Sequence, residues 1–177
     1  TSSGTLTVTT VDGVSGISSN NTAIALTETF GNVTVAQAVN AGAGTAAITL
    51  DGPDKLLTNN SAVTGTTGVT LTADKMALAG GTVNAGASIA TLVQQTGGQL
   101  INLGGADATG TLGLTDTELD TITAGTLRIG NVSSGAITVT AGISPINAPT
   151  LSLQTDTTGT NSITGAGTIT DTSVALV

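Results

Sequence analysis

Short units in which two aliphatic residues flank one small or polar residue recur along the whole chain, and they restrict it to strands with one buried face. Examples are Leu6-Thr7-Val8, Ile24-Ala25-Leu26, Val33-Thr34-Val35, Ile48-Thr49-Leu50, Val69-Thr70-Leu71 and Met76-Ala77-Leu78. The second half continues with Leu112-Gly113-Leu114, Leu127-Arg128-Ile129, Ile137-Thr138-Val139, Leu151-Ser152-Leu153 and Val174-Ala175-Leu176. Alternation with period two places one side chain in a core and the next in solvent.

Turn formers bound these units, as in Gly31-Asn32, Asp51-Gly52, Gly80-Gly81, Gly97-Gly98, Gly104-Gly105 and Ser133-Ser134-Gly135. Such residues tolerate positive φ and close tight corners. The units lie about 7 to 10 or about 15 to 23 residues apart, which fits coils of two or three short strands each. The expected fold is an all-β parallel solenoid (β-helix), residues 1–177 as one domain, with roughly eight coils spaced about 4.8 Å. A β-sandwich of short strands is the alternative.

The core must be built almost without aromatic rings, because the chain has no Trp or Tyr and Phe30 is its single Phe. Irregular layered domains usually fill their interiors with larger pieces, whereas stacked coils set like on like. With 8% charged residues and abundant β-branched side chains, the chain reads as ordered strand and not as solvated coil.

Net charge is −8, with Lys55, Lys75 and Arg128 the only cations. A phosphate backbone would be repelled, so no nucleic-acid partner is expected. No apolar run spans a bilayer, so no membrane insertion is expected. The chain has no Cys, which removes disulfide and thiol chemistry without fixing a compartment. It starts at Thr1 with no signal-peptide pattern, as a processed product or an excerpt would.

One stretch departs from the strand pattern, Leu114-Thr115-Asp116-Thr117-Glu118-Leu119-Asp120-Thr121-Ile122. Thr115 and Glu118 form a capping box, acids occupy the first turn, and Leu119 and Ile122 share a face. A short helical turn is expected near residues 115–122. Asp51-Gly52-Pro53-Asp54-Lys55-Leu56-Leu57 is read as a second excursion, with Asp51 and Asp54 as turn residues and a surface ion pair to Lys55.

The run from Val69 to Val177, with LTADKMALAGGTVNAGA, LGLTDTELDTITAGTLRIG, SGAITVTAGISP and LSLQT, resembles segments of filamentous-haemagglutinin-like and autotransporter-type bacterial surface proteins. That resemblance implies a right-handed β-helix, secretion to an extracellular, cell-surface location, and a role in adhesion or fibre building. The family's amino-terminal secretion domain and carboxy-terminal translocator barrel are not in this sequence, as expected of an interior portion or a stand-alone relative. The family supplies no catalytic motif to carry over.

Candidate chemistry centres on the acids. Asp116, Glu118 and Asp120 are the densest cluster; beyond the acidic first turn of a capped helix, they could serve as oxygen ligands for calcium or as paired carboxylates of a polysaccharide-acting β-helix enzyme. The Gly-rich nonapeptide of calcium-binding β-rolls is missing, and no His is present to activate Ser or Thr. No phosphate loop, dinucleotide fingerprint or zinc spacing occurs. No catalytic residues and no cofactor are therefore expected. Thr-x-Thr pairs at Thr5 and Thr7, Thr70 and Thr72, Thr138 and Thr140, and Thr168, Thr170 and Thr172 could order water as rows on a flat face, or are ordinary strand residues facing solvent. Asn20, Asn32, Asn59 and Asn131 each open an Asn-x-Ser/Thr sequon.

The expectation from sequence is thus a non-enzymatic structural segment of a bacterial surface fibre. Thr1–Thr10 and Ser162–Val177 both read as strand-competent, which predicts head-to-tail self-association through strand edges. An adhesin stalk that displays loops to a receptor or glycan on a host or neighbouring cell is the alternative.

Overall fold

A computed structural model describes residues 4–156 and 161–177 of the chain. Residues 1–3 of the amino-terminal strand-competent stretch lie outside the described residues. The strands form three faces, which the chain visits in the same order on each of the first four coils. The first face begins with Leu6–Val8, Val33–Val35, Leu56–Asn59 and Lys75–Ala77. The second holds Ile17–Ser18, Val39–Asn40, Ala62–Thr64, Thr82–Asn84 and Ile122–Thr123. The third is a seven-stranded sheet of Ile24–Glu28, Ala46–Leu50, Val69–Thr72, Ile89–Val93, Thr126–Gly130, Thr150–Gln154 and Ser173–Leu176. Apart from one hairpin and the isolated Ala108–Thr111 bridge, the pairing is parallel. That pairing removes the sandwich, whose sheets are antiparallel.

Register turns the sequence units into columns. On the third face Leu26, Ile48, Leu71, Leu92, Ile129, Leu153 and Leu176 stack in one inward file. The neighbouring outward file runs Ala25, Ala47, Thr70, Thr91, Arg128, Ser152 and Ala175. Each inward aliphatic rests on its counterpart about 4.8 Å away, so the interior needs no ring to fill it. One continuous core runs from Val8 to Leu153, and Met76 is the only residue in it that is neither Ala, Val, Ile nor Leu.

Seven rungs on the third face replace the roughly eight coils expected from unit spacing. The surplus strand sits on the first face. After Leu100–Leu103 the chain does not turn to the second face. It folds back over residues 104–110 and lays down Thr111–Leu114 parallel to Leu100–Leu103, with Leu100 opposite Thr111 and Leu103 opposite Leu114. Thr111–Leu114 thereby comes to lie beside Lys75–Ala77. Above Leu100–Leu103 the face resumes with Ile137–Val139 and Ile163–Gly165. Two consecutive strands thus occupy one face within one coil, and Ala90 and Leu127, neighbours on the third face, are correspondingly far apart in sequence.

Parallel neighbours usually need a crossover of a dozen or more residues; the return here is shorter because it lies directly on the strand it precedes. A Cβ on Gly113 would sit 2.0 Å from the carbonyl carbon of Ala106. The fold-back therefore closes only over a residue without a side chain.

The helical turn is present as Asp116–Leu119, with Thr115 at its N-cap and Leu119 buried. Ile122 is also buried, but it opens a second-face strand. The expected 51–57 excursion is shorter: residues 51–55 form a tight turn in which Asp54 has φ of 56°, and Leu56 and Leu57 already belong to the first-face strand Leu56–Asn59. One feature was not foreseen: a hairpin of Thr10–Val11 and Val14–Ser15 between the first two strands of the chain's opening coil. Its turn residues Asp12 and Gly13 have φ of 51° and 81°, the conformation that Asp-Gly favours between antiparallel strands.

Candidate functional site

Carboxylates in this fold mostly receive backbone N–H groups. At the seam between Lys75–Ala77 and Thr111–Leu114 the strands share no ladder, and two acids bridge them instead. Asp107 accepts the Met76 N–H at 2.9 Å on one oxygen and the Gly113 N–H at 2.8 Å on the other. Glu118 accepts the Leu78 N–H at 3.1 Å on Oε1, and the Thr115 N–H and hydroxyl at 2.9 Å and 2.7 Å on Oε2. The capping glutamate predicted from sequence thus also fastens its helix to the coil beneath.

Burial pushes the Asp107 carboxyl up to about 6, aided by the negative Glu118, while the two N–H donors and Lys75 pull the other way. Beside it a shallow groove of about 380 Å³ is lined by Leu56, Met76, Ala106 and the two acids.

Asp116, Glu118 and Asp120 are not brought together as a ligand set. Asp116 accepts the Ser144 N–H at 2.6 Å and Asp120 the Ile146 N–H at 3.3 Å, both toward the coil above, while Glu118 is spent on the coil below. Among the described residues no group of three His, Cys, Asp or Glu side chains is placed to hold a metal ion. The expected ion pair to Lys55 is also corrected, because Asp54 pairs with Lys75 at 3.1 Å. That partner and the Gly110 N–H hold the Asp54 carboxyl below its usual value. Asp51 accepts the amide of Gln95 at 3.0 Å.

No local sequence pattern marks Asp74. It is fully buried, and its carboxylate accepts the N–H groups of Asp54, Gln95 and Thr96 and the Thr96 hydroxyl, while Gln99 donates its amide to the Asp74 carbonyl. It ties three successive corners together where the third face turns into the first. Of the sequon residues, Asn59 is fully buried and donates to the Thr82 carbonyl. Asn131 accepts from Ser133 and Gln94 inside a buried cluster with Ser134.

The threonine pairs do not share a surface. Thr7 stacks with Thr34 and Thr58 on the first face, and Thr72 stacks with Thr49 and Thr27 on the third. Thr138 continues into Thr164, whereas the Thr140 hydroxyl is bonded to Asn102.

The end rungs complete the picture. Val174 and Leu176 belong to inward files whose other members are mostly buried, yet they are 43% and 61% exposed. Ile24–Glu28 pairs with Ala46–Leu50 on one edge alone among the described residues, and Ser173–Leu176 with Thr150–Gln154 alone. No helix among the described residues is long and apolar enough to cross a membrane.

Parallel rungs, columnar core and corner hydrogen bonds together define a β-solenoid repeat protein. No protein-family model matches the chain, and no curated protein or solved structure matches it significantly.

Proposed function

We propose that the chain is a non-enzymatic structural segment of an extracellular bacterial surface fibre, a rod that lengthens when further β-coils stack on its end rungs. The observation that carries this reading is the in-register parallel stack over one continuous aliphatic core, in which each strand edge templates the next. In this reading the covering coil comes from a second copy, stacked head to tail. The motif-level resemblance of the second half to haemagglutinin-like surface proteins supports the location, and the commitment of carboxylates to backbone N–H groups supports a mechanical role over a catalytic one.

Electron microscopy and fibre diffraction of the concentrated protein test the proposal. Filaments with a roughly 4.8 Å repeat along their axis are expected. A monodisperse monomer at high concentration overturns it and leaves the second reading, an adhesin stalk, which is favoured by the groove beside Arg128.

A further inference from the structure

The outward side of the third face is almost free of charge. Its strands present Ala25, Thr27, Thr49, Thr72, Ser152 and other small or neutral residues, and the exception is Arg128. Among the described residues Arg128 makes no ion pair and no side-chain hydrogen bond, although the chain carries 11 acids against 3 cations. A guanidinium left unpaired in so acidic a chain has its planar donor fork available to a carboxylate from elsewhere.

Arg128 borders a groove of about 520 Å³. Gly68, in register between Thr45 and Ile89, contributes no side chain and leaves a dip where these strands of the sheet begin. Thr70 and Thr91 lead along the adjacent file to Arg128. The hydroxyls of Thr45, Thr70, Ser88 and Thr91 bond to no protein group among the described residues. Ile89, 38% exposed, and Ala47 supply an apolar floor.

We propose that this groove binds a carboxylated oligosaccharide, with Arg128 taking the carboxylate and the hydroxyl rows meeting the sugar hydroxyls. A peptide fits less well. Ala46–Leu50, Val69–Thr72 and Ile89–Val93 are laddered on both sides, so no strand edge is open here for an added peptide. The groove is open and lacks an aromatic platform, so weak binding, in about the millimolar range, is expected.

Amide chemical-shift titration of the whole chain with a neutral trisaccharide extended by a single uronic acid tests the site, with its methyl ester and a hexapeptide carrying one glutamate as comparison probes. The expected result is shifts confined to residues 45–47, 67–70, 88–91 and 126–128. The methyl ester and Arg128→Gln should each weaken binding at least five-fold, and Ala47→Glu, which sets a charge of the ligand's own sign on the groove floor, should abolish it. Lys55→Gln should change nothing. Shifts elsewhere, equal binding of the ester, full binding by Arg128→Gln, or equally tight binding of the peptide at this groove each overturn the proposal. All these positions are on the surface, so unchanged circular dichroism will show that the variants fold.

Discussion

Single residues in this solenoid matter most where they let two stretches of backbone meet or give a corner its acceptors. Gly113→Val is expected to cost about 2 to 3 kcal/mol, because the fold-back must lift off its own strand. Gly97→Ala, with nothing nearer than 4.0 Å, should stay within about 0.5 kcal/mol. Urea midpoints of the two variants will separate a close-approach glycine from a turn glycine. Asp74→Ala should cost about 2 kcal/mol, since it removes the shared buried acceptor of three part-buried N–H bonds. Hydrogen exchange should then rise at Asp54, Gln95 and Thr96 first.

At the scale of elements, the seam of Asp107 and Glu118 replaces a strand ladder with side chains that titrate. The Asp107 carboxyl stands at about 6 in the fold, above its unfolded value near 3.9, so the folded state holds its proton more tightly. Its contribution to stability is fully present below about pH 4 and is lost as pH rises through about 6. Allowing for solvent screening, the loss is about 1 kcal/mol. The stability difference between the parent and Asp107→Asn should fall by that amount between pH 4 and 7, the subtraction removing the other carboxylates. A flat difference would mean that Lys75 and the two N–H donors outweigh burial. The strands and the capped turn at Thr115 were legible in sequence because each is written in neighbouring residues. The seam was not, because Asp107 lies 31 residues from Met76 and no local pattern distinguishes an acid that crosses coils from one in a turn. Asp12-Gly13 is different: it is a recognisable hairpin signal that the recurrence of aliphatic units obscured. The unpaired Arg128 was visible as a rare cation, but its groove depends on Gly68 two coils below, a matter of register alone.

For the molecule as a whole, the open end rungs and the net charge of −8 act in opposition. Raising salt from about 0.01 M to about 1 M, which cuts the screening length from roughly 30 Å to 3 Å, should promote end-to-end association. Leu176→Lys should suppress it, with no change in the unfolding midpoint, since Leu176 is mostly exposed already. Sedimentation velocity across the salt series checks both. The extra strand at Thr111–Leu114 bears on shape as well. A column with one more course of masonry on one flank, about 4.8 Å in height, leans toward the opposite flank. Each copy in a fibre would contribute the same lean, so the assembled thread should wind as a shallow corkscrew whose pitch disappears when residues 104–114 are deleted.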